Sequence, residues 1–368
     1  IFITGNNEFF KFTEFNICSI WIVISRIGES MYSFLNDYSE GAHPQILEAL
    51  NQTNLIQTVG YGKDEYCHLA QKVIKERIHN EQADVHFLVG GTQTNMLMIS
   101  YALKHYQAVI ACDEGHIQVH ETGAVEGAGH KILTRPHVHG KVTCQMIEDI
   151  CQQHTDEHMV QPRMVYISQT TELGTYYTRD ELKALYEVTR KYDLYLFLDG
   201  ARLGSALVLP DAPTLEEIAQ YVDAFYIGGT KMGALFGEAL VIIHDDLKPQ
   251  FRYHMKNKGA MLAKGRLLGI QFYELFKDHL YEEIGLHENR MADMIRQALI
   301  KKGIPLYEPS ATNQIFVDLP QNALEAIEKE FMVTHMGAIP GGERVRIVTS
   351  WATSQEAVLS FVSLIENL

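Results

Sequence analysis

The sequence predicts an α/β fold: a mostly parallel, seven-stranded sheet with helices on both faces, followed by a small C-terminal α+β domain. Three observations predict it. From Val85 onward short apolar runs alternate with longer segments of helical period, the pattern of a parallel sheet covered by helices. After Pro249 that alternation gives way to a helix-rich stretch and then to two short apolar runs. Finally, 46% hydrophobic residues in a chain of 368 are enough for a substantial core, which excludes disordered, collagenous and coiled-coil readings.

Residues 1–30 differ from the rest of the chain. They begin at Ile1, pass Asn6, Asn7 and several phenylalanines, and reach an apolar stretch, 17–24, that is too short to span a bilayer. The same stretch could be a signal-peptide core, but a basic start is missing and no small-residue cleavage site follows Ser25 and Arg26. The expectation is that Met31 is the functional start and that 1–30 is an extension outside the fold. Strands are expected at 85–89, 108–112, 131–133, 164–168, 194–198, 224–227 and 239–243. The clearest helix is 178–192, where Thr178 and Glu181 make a capping box and Leu182, Leu185, Tyr186 and Val188 form an apolar stripe. A long helix is expected through 266–281, a second at 288–301, short strands at 315–318 and 345–349, and a closing helix at 354–368. The expected domains are therefore 31–248, α/β with an N-terminal arm, and 249–368, with a ligand cleft between them.

With 31 basic against 46 acidic residues the net charge is -15, and no basic block stands out, which argues against nucleic acid as the main partner. Five cysteines form an odd set without a CxxC pair, so neither a disulfide framework nor a cysteine zinc site is suggested. A reducing, cytoplasmic location is expected.

In an open parallel sheet ligands bind beyond the carboxyl ends of the strands. Three such places carry chemistry. The run Val89-Gly90-Gly91-Thr92-Gln93 leads from a strand into a helix start near Thr92, where free amides and a hydroxyl can cradle a phosphate; alone, such a pair of glycines more often only turns the chain. The apolar strand ending in Asp199-Gly200-Ala201-Arg202 offers a carboxylate able to hold a protonated pyridine nitrogen. Its bland alternative is a helix-capping acid with Arg202 as surface partner. In Gly228-Gly229-Thr230-Lys231-Met232-Gly233 a lysine ends an apolar strand among small residues, where burial beside a cationic ring would lower its pKa as Schiff-base chemistry requires. A lone lysine there would more commonly snorkel to solvent.

The order of these features, phosphate cup, acid, then lysine thirty-two residues after Asp199, resembles the pyridoxal phosphate enzymes of fold type I, and among them the threonine aldolase and β-eliminating lyase family. The resemblance runs from about Met31 to the C-terminus. It is carried by Asn36-Asp37-Tyr38-Ser39-Glu40-Gly41, Tyr61-Gly62, Gly91-Thr92-Gln93-Thr94-Asn95, His116 with Glu121, Asp199-Gly200-Ala201-Arg202, Gly229-Thr230-Lys231 and Val345-Arg346-Ile347-Val348-Thr349. It implies pyridoxal 5'-phosphate on Lys231, Asp199 against the ring nitrogen, Gly91 and Thr92 at the phosphate, and His116 stacked on the ring. Arg202 and Arg346 would clamp a substrate carboxylate, with Arg202 also near the cofactor. A site shared between subunits would bring Tyr61 and Lys264 from a neighbouring chain, so a homo-oligomer is implied, a dimer at least and by resemblance a tetramer.

Two departures stand out. Many members have a serine where Asn36 stands, and a histidine in the strand-end loop where this chain has Glu172. The implied reaction is aldol cleavage of a β-hydroxy-α-amino acid such as threonine or allo-threonine to glycine and an aldehyde. His116, Glu172 and an ordered water are all candidates for the base at the β-hydroxyl. The alternative is β-elimination from serine, cysteine or an aromatic amino acid on the same cofactor. A remoter rival is a metal-binding or non-catalytic protein built on His116 with His120 or His137 with His139; neither pair has an HExxH pattern, and no metal is expected.

Overall fold

The computed structural model describes residues 31–368; the extension 1–30 and the expectations placed on it lie outside the described residues. Its strands are β1 (Tyr32–Ser33), β2 (Asp84–Leu88), β3 (Gln107–Cys112), β4 (Lys131–Arg135), β5 (Gln161–Ser168), β6 (Tyr195–Asp199), β7 (Ala224–Gly228), β8 (Glu238–Ile242), β9 (Gln314–Pro320), β10 (Phe331–Met332), β11 (Thr334–Ile339) and β12 (Gly342–Val348). All seven strands expected in the large sheet form, in the order β2-β8-β7-β6-β5-β3-β4. The pairs β3 with β4, β3 with β5, β5 with β6, and β6 with β7 are parallel. Only β8 runs the other way, antiparallel to both β2 and β7. The carboxyl ends of β2, β5, β6 and β7 thus share one edge with the amino end of β8.

The sheet is apolar on both faces because its central strands carry long apolar runs rather than alternating apolar and polar residues. Alternate residues divide cleanly: Val165, Ile167, Leu196, Leu198, Phe225 and Ile227 belong to one buried cluster. Met164, Tyr166, Tyr195, Phe197, Ala224 and Tyr226 belong to the cluster on the opposite face. The capping box at Thr178 is present, opening a helix Arg179–Lys191 whose Leu182, Leu185 and Val188 are buried.

The C-terminal part corrects the sequence reading in two ways. The long helix expected through Tyr281 instead ends at Phe276, and a second helix, Leu280–Lys301, begins well before the expected position. The break lets Tyr281 bury completely, pack its ring at a tilt against Phe276 with centroids 4.7 Å apart, and donate its hydroxyl to the Gly228 carbonyl at 2.9 Å. Interrupting a helix forfeits hydrogen bonds worth about 1 kcal/mol each, and burying a large aromatic with its hydroxyl satisfied offsets that. The second correction is the small sheet, ordered β11-β12-β9, in which β11 has no counterpart among the expected strands. Strand β11 carries an almost fully exposed pattern and so has no alternation to read. The N-terminal arm is tied in by β1, which pairs parallel with β10, and Phe34 joins the core under the small sheet. Helix Arg266–Phe276 contributes Phe272, Leu275 and Phe276 to the core of the large sheet.

Candidate active site

The edge where these strand ends meet holds a cavity of about 290 Å³ lined by Gly91, Thr92, His116, Glu172, Asp199, Arg202, Lys231, Tyr226, Thr230 and Glu238, among others. Seven of the eleven sequence-predicted site residues therefore come together. Glycine makes the meeting possible. A Cβ on Gly200 would lie 1.9 Å from the Tyr226 carbonyl oxygen, so the turn after β6 can lie against β7 only without a side chain there.

Asp199, at the end of β6, is buried and receives four donors. The Tyr166 hydroxyl donates at 2.5 Å, Asn95 Nδ2 at 3.0 Å, the Ala201 N–H at 3.0 Å, and the Tyr226 hydroxyl completes the set. Burial alone would raise its pKa, but the His116 imidazole and these donors outweigh burial and hold the carboxyl below its usual range. Opposite it, burial and then the Arg202 charge lower the pKa of Lys231. Among the described residues Lys231 has no carboxylate within ion-pair distance. A dry anion facing an amine that loses its proton readily is a pairing that structural lysines rarely show.

His116 Nδ1 lies 2.8 Å from Glu121 Oε1, which also accepts from Asn95 Nδ2 at 2.8 Å, so the imidazole is fixed through one nitrogen. Burial opposes protonation of His116, but the Glu121 bond and the Asp199 charge raise its pKa overall. Glu172 Oε1 accepts from the Ser168 hydroxyl at 2.6 Å and from the His116 N–H at 2.9 Å. Burial, reinforced by Asp199 and opposed by the Ser168 bond, raises the pKa of Glu172. Gly91 and Thr92 open the twelve-residue helix Gly91–Ala102, whose first turn has no side-chain cap, leaving its amides toward the cavity.

The two arginines differ. Arg202 is spent on Asp37, with Nε to Oδ2 at 2.6 Å and Nη2 to Oδ1 at 3.1 Å, and Asn313 Nδ2 donates to the same carboxylate at 2.9 Å. Burial opposes ionisation of Asp37, yet the Arg202 and Lys231 charges bring its pKa down to about 2. Arg346 on β12 has only a 3.4 Å contact to the Leu35 carbonyl, and its buried Nε has no partner. Burial and the nearby Arg202 charge lower its pKa, the condition of a cation awaiting an anion.

The remaining predicted residues lie elsewhere in the chain. Asn36 does not line the cavity; its Oδ1 accepts from the Tyr38 N–H at 3.0 Å and the Ser39 hydroxyl at 2.9 Å, and it is Tyr38 that reaches the cavity. Tyr61 is 46% exposed on another face, with φ of 61°. It is held there by the Ala263 carbonyl at 3.0 Å, by Arg252 Nη2 at 2.9 Å and by Lys256 Nζ 4.5 Å from its ring. Lys264 is exposed beside it. The other histidine pair is engaged by different partners: His139 meets Glu308 at 3.0 Å and His137 Nδ1 accepts from the Gly140 N–H at 3.0 Å.

Sequence reasoning assigned no role to Asp37, Asn95, Tyr166, Tyr226 or Glu238. For Tyr166 and Tyr226 a signal existed, since each places a hydroxyl two residues before the end of an otherwise apolar strand, on the face that Asp199 presents. For Glu238 there was none, because it sits at the amino end of the one reversed strand.

A mostly parallel sheet of this order, with the lysine after β7 and the acid ending β6, is the architecture of the fold type I pyridoxal phosphate enzymes. An aspartate aminotransferase from Thermus thermophilus shares it, with a TM-score of 0.67 over 95% of each chain and 13% identity, a likeness of fold alone. The chain belongs to the beta-eliminating lyase family, whose profile matches residues 34–322. Among its relatives, the low specificity L-threonine aldolase of Pseudomonas aeruginosa is 30% identical over 329 residues, 88% of this chain and 94% of that protein. The enzyme of the same name from Escherichia coli is 27% identical over 301 residues, covering 80% and 87%. The solved threonine aldolase of Leishmania major is similar with a TM-score of 0.90 and 46% identity, over 91% of this chain and 99% of that one.

Proposed function

We propose that this chain is a pyridoxal phosphate-dependent aldolase that cleaves L-threonine or L-allo-threonine to glycine and acetaldehyde. The observation that carries the reading is the buried anion of Asp199 facing the desolvated, unpaired amine of Lys231 across a cavity that also opens on uncapped helix amides. The donor set fits the cofactor. Lys231 would hold its aldehyde carbon, Gly91 and Thr92 its phosphate, His116 its ring face, and Asp199 its ring nitrogen. When bound, the cofactor supplies an electron sink for the bond that breaks.

The chain's own residues do the rest. Arg346, with its buried unpartnered Nε, receives the α-carboxylate, and Arg202, anchored on Asp37, adds positive charge beside it. Glu172, whose raised pKa suits a general base, and His116, tied by Glu121, both line the cavity and, with an ordered water, are the candidates to take the β-hydroxyl proton. Tyr61 and Lys264 reach a site by lending themselves to a neighbouring copy, which makes the enzyme a homo-oligomer, at least a dimer and by family resemblance a tetramer. Four cysteines without disulfides among the described residues favour a cytoplasmic setting, and none of the described helices is long and apolar enough to cross a membrane.

The test is a product assay with added pyridoxal phosphate, offering L-threonine, L-allo-threonine and L-serine, with Lys231→Ala in parallel. Glycine with acetaldehyde is expected, abolished in the variant together with the cofactor's colour. Ammonia with a keto acid would instead establish β-elimination, and absence of colour in the unaltered protein would remove the lysine assignment.

A further inference from the structure

Glu238 is a buried carboxyl in the same cavity that neither the aldol chemistry nor the carboxylate clamp uses. It opens β8, the reversed strand, and stands level with Leu88 and Gly228, the last residues of β2 and β7. Its Oε1 lies 3.0 Å from Thr230 Oγ1 and its Oε2 accepts from the Gly229 N–H at 3.2 Å, while Thr230 Oγ1 itself accepts from the Gly237 N–H at 3.0 Å. Among the described residues no arginine or lysine lies within 4 Å of it. Val89, Gly90, Gly91 and Thr92, the uncapped turn suited to a phosphate, line the same cavity. An ionised Glu238 would place a second anion in a poorly hydrated cup beside a phosphate dianion, a costly arrangement.

Resting on the pyridoxal phosphate reading above, we propose that Glu238 serves the phosphate end of the site as an uncharged carboxylic acid, and that phosphate binding is linked to uptake of one proton there. The proton comes from solvent water. Once on Oε1 it is donated to Thr230 Oγ1, so the Thr230 hydroxyl hydrogen, no longer needed by Glu238, turns to a phosphate oxygen. No covalent bond other than that O–H forms or breaks.

The surroundings agree. Burial pushes the Glu238 pKa up to about 8, the Asp199 charge adds to this, and the Thr230 bond and Lys231 oppose it. Tyr226 on β7 and Tyr281 on the helix Leu280–Lys301 also face it, both held neutral by burial. On β2, burial lowers His86 to about 4, so it too is uncharged in this range. Helix Arg266–Phe276 presents Leu268 and Phe272 to neighbouring Gly237. Glu238 is therefore the carboxyl level with the end of β2, where the phosphate turn begins, that burial has lifted to about 8, and a bound dianion can only raise its pKa further.

The probe is pyridoxine 5'-phosphate, which keeps the ring and phosphate but has no aldehyde to react with Lys231, with pyridoxine as the phosphate-free control. Its dissociation constant is measured on the full chain freed of cofactor from pH 7 to 9.5, and calorimetry in two buffers of different ionisation heat counts the protons taken up. The expected result is an affinity that weakens above pH 8 toward about tenfold per pH unit, with proton uptake approaching one. In Glu238→Gln the slope disappears and binding at pH 9 becomes tighter than in the unaltered protein. An equal slope in both proteins, or no proton uptake at pH 9, overturns the proposal; counting protons in Lys231→Ala, which keeps Glu238, excludes the lysine as their acceptor and survives a failure of Glu238→Gln to fold. If neither pyridoxal phosphate nor the probe binds at pH 7, the cofactor reading falls and this inference with it. Binding at pH 7 without proton linkage above pH 8 sinks the Glu238 role alone.

Discussion

Arg202 lines the cavity and Arg346 lies close enough to feel its charge, but their surroundings give them different work. Arg202 forms a bidentate pair with a buried carboxylate, whereas the Nε of Arg346 is buried without a partner. A charged hydrogen bond contributes about 1.5–3 kcal/mol. Replacing Arg346 by Lys, which keeps the charge and loses the planar fork, is therefore expected to raise KM for L-threonine at least about tenfold while leaving kcat much less changed. Steady-state kinetics decide this; an unchanged KM would move the carboxylate elsewhere. Asp37→Asn should differ in kind, because removing one member of a buried pair costs about 3–5 kcal/mol of stability, so its effect should show first in denaturation. The three residues look equivalent as charged letters in sequence, and only the pairing in space separates a clamp from a brace.

At the scale of elements, β2 meets the helix Phe251–Asn257 through His86, whose ring centroid is 5.1 Å from that of Phe251 and whose Nε2 is buried without a partner. Burial lowers its pKa from 6.5 to about 4. Below pH 6.5 the unfolded chain binds a proton that the folded chain refuses. Stability from this group is thus present above pH 6.5 and is lost as pH falls toward 4, by about 3 kcal/mol in all. The Asp37 contribution is lost only below its unfolded value of 3.8, outside this window. Urea titrations at pH 7.5 and 5.0 should show the unaltered protein losing about 2 kcal/mol more than His86→Leu; equal losses would mean that His86 is protonated in the folded state. A histidine inside a strand reads only as a polar residue in sequence, which hides the cost it imposes there. The large strands were legible because each is an apolar run of strand length, and the capping box at Thr178 because its chemistry is local. The early end of the helix at Phe276 and the exposed β11 were not, since one depends on Tyr281 finding the Gly228 carbonyl and the other has no buried face.

For the whole molecule, the conspicuous fact is an exposed tyrosine in a left-handed conformation, braced by Arg252 and Lys256 and standing apart from its own chain's cavity. If it completes the site of a neighbouring copy, light scattering will find an oligomer, and mixing two inactive proteins will restore activity. Lys231→Ala subunits co-refolded with Tyr61→Ala subunits should recover a fraction of sites, namely those that combine an intact lysine with an intact tyrosine. No recovery from mixed oligomers would return Tyr61 to a structural role.

What the sequence by itself determined was everything written locally or in order along the chain: apolar runs that become a sheet buried on both faces, a glycine turn before a helix, and an acid and a lysine ending neighbouring strands. What only the tertiary structure decided was which charges are satisfied. The four donors on Asp199 come from three strands or their turns and a helix, Asp37 reaches Arg202 across 165 residues, and Glu238 joins the site because one strand runs backward. Periodicity records whether a side chain faces the core, but electrostatics depends on distances between segments far apart in the chain, and those exist only once the chain has folded.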